Sequence, residues 1–491
     1  MSARNRSFIA RIGRWSRPGA SGCGVALCGV AVVGLCGCAE PEGRTELPLG
    51  DVPAFSASGI DEMPERWWTV FEDEELNERV DRALGGNFTL AATWERLRAA
   101  RAILRRQRAD LFPVLDGVAG AEVVDGPGTD SESSVSLGLE ASYELDLWGR
   151  IDSAIEAERL RASATAEDYR AAAISLSAEV ALAWYELATA RLQLDLITSQ
   201  LETNEKVLEV LENRFAIGQS GSADVLRQRQ LVEATREQQV VFRSAIQVLE
   251  HRLAVLEGRP SQGAVFPDPA GLPVVPGLPT VGLPSELLLR RPDVRSAMFR
   301  LRASDSDVAV AVSEQYPRID LTASLRTSDE GGSDLMRDWV ASLGGQLVAP
   351  LMDGGRRRAE LERAEAVRRE RLAEYGQAVV VAFREVEDAL AQESQQVERI
   401  RSLEEQLELS GKTYEQLRSQ YLNGAADFID VLIALRERQE IERNVLSANL
   451  DRLSFRIALY RALAGGFTTS REESLADRTA DEALQGDGVD G

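Results

Sequence analysis

After Cys38 the chain contains no cysteine. The four it has, Cys23, Cys28, Cys36 and Cys38, all lie before residue 39 of 491. A body without cysteine has no disulfide framework, no zinc-ribbon spacing and no thiol nucleophile. Histidine is almost missing as well. His251 is the single one, which excludes His-rich metal sites and leaves any Ser-His-Asp triad resting on one residue. Aromatics are 6 % of the chain against 44 % apolar residues, so cores must be built mainly from Ala, Leu and Val. Positive charge is in deficit: 56 Lys and Arg face 79 Asp and Glu, for a formal charge of −23. Such a body has no global attraction for nucleic acid, which is not an expected partner. No later apolar run approaches the roughly 18 residues of a membrane-spanning helix. No phosphate-binding Gly loop, metal motif or nucleophile elbow occurs, so neither cofactor nor catalytic residue is expected.

The first forty residues read as an address. Arg4, Arg6, Arg11, Arg14 and Arg17 precede an apolar run from Gly22 to Leu35. That run suits the core of a signal peptide and is short for a membrane span. It ends in Leu35-Cys36-Gly37-Cys38, which resembles a bacterial lipobox. The resemblance implies removal of residues 1–37, lipidation of Cys38 and, with Ala39 next, a place in the outer membrane. An ordinary signal peptide with an incidental cysteine is the plainer alternative.

A tandem repeat organises the rest. Gly218 and Gly424 lie 206 positions apart, and so do Asp224-Val-Leu and Asp430-Val-Leu. The same step relates Leu145 to Leu351, Gly149 to Gly355 and Arg150 to Arg356. Upstream, Phe112-Pro113 matches Tyr316-Pro317 at a step of 204. The first repeat is expected at 38–257: a helix, a β-hairpin over 113–145, a long helix over 151–214, a tip at 215–223 and a helix over 222–256. A Pro-rich linker follows at 258–285. The second repeat spans 286–466, with a hairpin over 317–349, a long helix over 356–420, a tip at 421–428 and a helix over 428–463. The acidic tail 467–491 lacks periodicity and is expected to be disordered.

From Ile151 to Arg214 there is no Pro or Gly. At about 1.5 Å per residue this is a helix of about 96 Å. Apolar residues recur in alternating steps of four and three (Leu176, Val180, Ala183, Leu187, Ala190, Leu194, Ile197), which is a coiled-coil seam. Adding 206 gives a more polar seam in the same register, from Ala382 to Tyr421. Gly218 and Gly424 suit the left-handed residue that ends a helix. Arg290-Arg291-Pro292-Asp293 reads as a helix start, with Pro in the first turn and Asp at the positive end.

Residues 134–145 alternate strictly. Val135, Leu137, Leu139, Ala141, Tyr143 and Leu145 form one face, and Ser134, Ser136, Gly138, Glu140, Ser142 and Glu144 the other. This is a strand with one dry and one wet face. Residues 318–327 behave likewise, and aromatics flank the strands at Phe112, Tyr143, Trp148, Tyr316 and Trp339. Strands of this kind fit an outer-membrane barrel. Four of them cannot close one, because lipid would meet unpaired edges. Three chains would supply twelve. A soluble sheet packed on the helices is the alternative.

These segments resemble the TolC/OprM-type outer-membrane factors, and within them the NodT-like lipoprotein branch that serves RND multidrug efflux. The resemblance is carried by Trp67-Trp68 with Asp73-Glu-Glu-Leu76, by Tyr143 to Arg150, by Leu287 to Asp293, by Pro350 to Arg356 and by both tips. It implies a mainly α homotrimer: a 12-stranded outer-membrane β-barrel continued by a periplasmic α-helical barrel. It also implies a passive conduit, not an enzyme, for drugs or other small toxic compounds, joined to an inner-membrane RND-type pump by a periplasmic adaptor. The tips at Gly218, Ser220, Gly424 and Ala425 would then dock the adaptor. Phe215, Tyr421, Phe428 and Ile429 would crowd a closed mouth, ringed by Asp224, Asp427 and Asp430. Each aromatic has a plainer reading as hairpin core, and each Asp as a helix cap. Two other functions compete: a protein-secretion duct coupled to an ABC transporter, and a lipid-anchored scaffold without a pore.

Overall fold

The structure is a computed structural model that describes residues 52–126, 129–268, 271–330 and 335–474. The expected signal segment, Cys38 and residues 475–491 lie outside the described residues. A short turn at Trp67–Phe71 leads into α1 (Glu74–Gly86) and α2 (Phe88–Arg108). Next come β1 (Val114–Gly126), β2 (Thr129–Leu145), α3 (Arg150–Ala216) and α4 (Ser222–Leu256). The connector gives way to α5 (Pro284–Arg290) and α6 (Pro292–Ser313). Then follow β3 (Arg318–Glu330), β4 (Val340–Val348), α7 (Arg356–Leu422) and α8 (Phe428–Leu463). Helices α3 and α7 have 67 residues each, or about 100 Å at the helical rise. Both begin at the sheet and end at a tip.

The four strands form one antiparallel sheet in the order β1-β2-β3-β4, so β1 and β4 are open edges. Register is continuous from Leu145 opposite Ile319 to Ser134 opposite Glu330. All residues of β4 are exposed. The helical seams are the reverse. In α3, Leu176, Val180, Ala183, Leu187, Ala190, Ile197 and Leu211 are buried; in α7, Ala382, Val386, Ala389, Ile400, Leu403 and Tyr414 are. One stretch of α3 is long and apolar enough to cross a membrane by composition, contrary to the expectation that no such run follows residue 40. Its window is 67 % buried among neighbouring helices, so it is core.

That core is a girdle part-way along the long helices. Trp67, Trp68, Trp184, Tyr169 and Tyr185 are fully buried in it, with Tyr460 of α8. Trp67 stacks on Tyr460 with centroids 5.8 Å apart, and its Nε1 donates to Ser177 Oγ at 3.1 Å. Asp73 caps α1 by accepting from Leu76 N–H at 3.0 Å, and its other oxygen accepts from Trp184 Nε1 at 2.9 Å. The Trp-Trp and Asp-Glu-Glu-Leu segments are therefore packing and capping residues of one site. Burial beside the Asp73 carboxylate pushes the Tyr185 hydroxyl far up, so it stays neutral.

Three buried arginines fasten the girdle. Arg79 of α1 reaches Glu257 at the end of α4 and lies over the Phe266 ring. Arg291 pairs with Asp293 (2.6 Å) and Glu385 (2.7 Å), and donates to the Ala462 carbonyl. Arg456, 2 % exposed, pairs with Glu393 and donates to the carbonyls of Pro276 and Gly277, which pins the connector. The segment 52–64 also joins this layer: Gly59 donates to Pro279, and Thr280 to Asp61.

The tail departs from expectation. Residues 467–474 are ordered, with a helical turn from 470. Phe467 packs edge-on against Trp68 at 4.8 Å, Thr469 hydrogen-bonds Tyr169, and Arg471 donates to the carbonyls of Leu84 and Gly85. Polar sequence suggested disorder, but one aromatic anchor and carbonyls left free at the end of α1 hold it in place.

Removing one partner of a buried ion pair costs about 3–5 kcal/mol. Arg456→Met is therefore expected to lower the thermal midpoint in detergent and to open the connector around Pro276 and Gly277 to protease. Asp293 has a different signature. Burial pushes its carboxyl up, but the Arg291 fork outweighs this and holds it below the usual range. Its contribution is present above the ordinary carboxylate pKa and lost as pH falls through the depressed value. Asp293→Asn should melt earlier than the parent at pH 7, and the gap should shrink below about pH 4, read by paired melting curves.

Candidate functional site

Two features can do something: the sheet at one end and the tips at the other. The sheet separates its faces by chemistry. Leu137, Leu139, Ala141, Tyr143 and Leu145 stand opposite Thr327, Leu325, Ala323, Leu321 and Ile319. On the other side of β2, Leu137, Leu139 and Ala141 stand opposite Ala119, Gly117 and Leu115. The opposite face carries Asp116, Glu140 and Glu144 with Arg318, Asp320, Thr322, Ser324 and Arg326. There Glu140 pairs with Arg326, and Ser324 and Ser342 share a hydrogen bond of 2.8 Å. At the foot of the sheet Trp148 stacks on Tyr316 (4.9 Å) and donates to the Pro317 carbonyl at 2.7 Å. Phe112 there is 69 % exposed. A broad apolar face left open, with amphipathic rings at its rim, is what a lipid surface requires.

The tips are built alike. At the first, Gln219 N–H bonds the Arg214 carbonyl and Gly218 N–H bonds that of Phe215. At the second, Ala425 bonds Gln420 and Gly424 bonds Tyr421. The two glycines sit at φ of 76° and 75°. This closure needs a left-handed residue, which glycine adopts at no steric cost.

The expected tip residues divide. Phe428 does not crowd an opening: it is 4 % exposed and packs with Leu211, Val225, Tyr414 and Leu432. The reason is helix phase, since position N1 of α8 points into the hairpin. Tyr421 is half-buried, edge-on to Phe428 at 5.6 Å, with the Arg214 guanidinium 5.0 Å above its ring. Ile429 is partly buried against the same cluster. Phe215 is 48 % exposed at the end of α3. Asp224 accepts from Gly221 N–H at 3.4 Å and pairs with Arg227 at 3.3 Å, so it caps α4. Asp427 and Asp430 are exposed, and Asp427 sits at the N-cap of α8 without a side-chain cap bond. Ser220 Oγ is buried without a hydrogen-bond partner, while Ala425 is exposed.

Sequence reading missed Arg214, which ties one tip to the other through Tyr421. It also missed a polar seam between the hairpins. Asn204, fully buried, exchanges amide hydrogen bonds with Gln439 (3.0 Å) and donates to Thr235. Gln200 and Gln193 donate to the backbone carbonyls of Gln439 and Arg443. Amides at heptad positions of α3 were the available signal.

The sequence profile of the outer membrane efflux protein family matches residues 80–259 and 283–465. The chain belongs to the outer membrane efflux protein family. Outer membrane protein OprJ of Pseudomonas aeruginosa is 32 % identical over 460 residues, covering 89 % of this chain and 95 % of OprJ. The pyoverdine export outer membrane protein OpmQ of the same species is 30 % identical over 419 residues, covering 83 % and 88 %. The solved outer-membrane channel OprN superposes with a TM-score of 0.79 at 31 % identity, covering 85 % of this chain and 98 % of its own. By name, then, these relatives are an outer membrane protein, an export protein of the outer membrane and an outer-membrane channel. As a member of this efflux family, the chain is an outer-membrane efflux channel.

Phe428→Ala is expected to cost about 3–5 kcal/mol, as for an aromatic removed from a core. Asp427→Ala should change stability by less than about 0.5 kcal/mol. Denaturant titrations of both variants check the assignment of core against free surface.

Proposed function

We propose that three copies assemble into a passive conduit, anchored by lipid on Cys38, that carries drugs or other small toxic compounds from an inner-membrane RND-type pump to the exterior. Twelve pooled strands form the barrel and the long helices continue it through the periplasm for about 100 Å. A periplasmic adaptor docks on the tips around Gly218, Ser220, Gly424 and Ala425. One observation carries this reading. A four-stranded sheet, apolar and exposed on one face, has two open edges, and lipid cannot satisfy those edges. The tandem repeat is supported by equal lengths of α3 and α7, by tips closed through the same hydrogen bonds, and by a family match that falls into two blocks.

The resting mouth is formed by Phe215, Tyr421 and Ile429, with Asp427 and Asp430 exposed beside them. Asp224 and Phe428 contribute by holding the hairpins rigid. Three copies of each free carboxylate favour cations over anions at the mouth.

Purified protein in planar bilayers is expected to conduct, and Ile429→Ala or Asp430→Ala should raise single-channel conductance. Unchanged conductance in both removes the gate. Deletion of the gene should sensitise cells to small toxic compounds, and Cys38→Ser should abolish labelling by radioactive fatty acid. A non-conducting protein whose loss leaves sensitivity unchanged would overturn the conduit.

A further inference from the structure

The foot of the sheet gathers unmatched positive charge in a chain whose formal charge is −23. From Arg96 to Arg108 helix α2 carries arginines and no acid. Its last turn holds Arg105, Arg106 and Arg108. All three are exposed, and among the described residues none of them pairs with a carboxylate. Along the long helices arginines are matched locally, as Arg159 is by Glu156, Arg363 by Glu360 and Arg401 by Glu398. The acid that follows the cluster, Asp110, accepts instead from Gln107 at 2.7 Å.

At the other edge of the sheet, β4 leads into α7 through Arg356, Arg357 and Arg358. Asp353 takes Arg357 at 3.1 Å and also accepts from the backbone N–H groups of Gly355 and Arg357. Arg356 is exposed, and among the described residues it has no carboxylate partner. Arg358, with 85 % of its side chain exposed, reaches Glu362 at 3.4 Å.

The fold itself does not require these charges, because the other copy of each repeat element lacks them. At the step of 204, Arg105, Arg106 and Arg108 correspond to Ala309, Val310 and Val312 of α6. At the step of 206, Arg358 corresponds to Asp152, and Arg356 to Arg150, which forks onto Glu144 with bonds of 2.8 and 2.7 Å. The counterpart of Glu144 is Pro350, so Arg356 has lost its acid. Helix dipoles do not explain the pattern either. Cations suit the C-terminus of α2 but are disfavoured at the N-terminus of α7, whose first turn holds no acid. What the two clusters share is their place. Arg108 lies four residues before Phe112, and Arg356 four residues after Met352. Phe112, Leu351 and Met352 are 69 %, 94 % and 95 % exposed. Four residues of helix or tight turn span about 6–8 Å, and a headgroup layer beyond the hydrocarbon is about 5–7 Å deep.

We infer that these arginines bind the phosphate headgroup of an anionic phospholipid in the periplasmic leaflet, with Phe112, Leu351 and Met352 against its acyl chains. The inference rests on the proposed pooling of strands, which joins the two clusters at each subunit junction. Guanidinium groups fork onto phosphate oxygens with charge-assisted bonds. A soluble anion would leave the exposed apolar residues beside both clusters without a role.

Native mass spectrometry of the full-length protein in detergent reads chains and bound lipid together. Phosphatidylglycerol and zwitterionic phosphatidylethanolamine are the probes. The three-chain species is expected to prefer phosphatidylglycerol by about tenfold or more. Arg105→Gln/Arg106→Gln/Arg108→Gln should lose that preference to within about twofold, and Arg356→Gln alone should weaken it about fivefold, the worth of one cation at an anionic surface. Lysine at the same three positions should keep the preference, which separates charge from packing. A charge-matched control near the tip, Arg227→Gln/Arg229→Gln/Arg236→Gln, should leave it unchanged. Equal binding of the two lipids by the parent three-chain protein overturns the site, as does an equal loss in the control. Displacement of phosphatidylglycerol by millimolar inorganic phosphate overturns it too, in favour of a free-anion site. An intact mass of one chain would instead overturn the pooled barrel on which the shared site rests, so the two failures are distinguishable.

Discussion

A backbone polar group in hydrocarbon must be paired, and this chain carries a sheet that cannot pair its own edges. The rest of the molecule follows from that constraint. Its strands alternate so strictly that β2 keeps Leu, Ala and Tyr on one face and Ser, Gly and Glu on the other through twelve consecutive pairs with β3. Such a face is stable only against lipid or another apolar layer. The long helices lead away from it and none covers it, since they enter the sheet from its foot at Phe112, Trp148 and Tyr316.

Helices of 67 residues need lateral support, and their own seams are uneven. Near the girdle the seam of α3 is Ala and Leu against a dense aromatic cluster. Between the girdle and the tips amides join it: Gln193, Gln200 and Asn204 face Gln439 and the α8 backbone, before Leu211 returns it to apolar packing. Apolar contacts commit two helices to each other, whereas amide pairs can be exchanged for water at small net cost. The girdle is therefore the fixed part. Its buried arginines reach across elements to Glu257, Glu385 and Glu393, and to carbonyls of the connector and of α8. The tips are held by the apolar cluster around Phe428 and by the Arg214–Tyr421 stack.

The elements were legible in the sequence because their signals are local. An absence of Pro and Gly over 151–214 marks a region that α3 occupies, and strict period two marks β2. Gly218 and Gly424 mark turns because only a left-handed residue closes a helix that way. What was not legible depends on partners far away in the chain. Phe428 looked like Phe215, a tip aromatic, yet helix phase buries one and exposes the other. Asp224 and Asp430 each follow a tip glycine by six residues, but only Asp224 has an arginine, Arg227, three residues on. Phe467 and Arg471 looked like the start of a polar tail. Their anchors, Trp68 and the end of α1, are nearly four hundred residues earlier.

The central claim is that the sheet is a stretch of barrel wall, with one face in lipid and one in water. Single cysteines placed in turn at positions 134–145 and exposed to a water-soluble maleimide in intact outer membranes test it most directly. The account predicts labelling with a period of two: strong at even positions such as 136, 140 and 142, and weak at 135, 137 and 139. Equal labelling on both faces, or protection of both, would contradict it and point to a sheet that never enters the membrane.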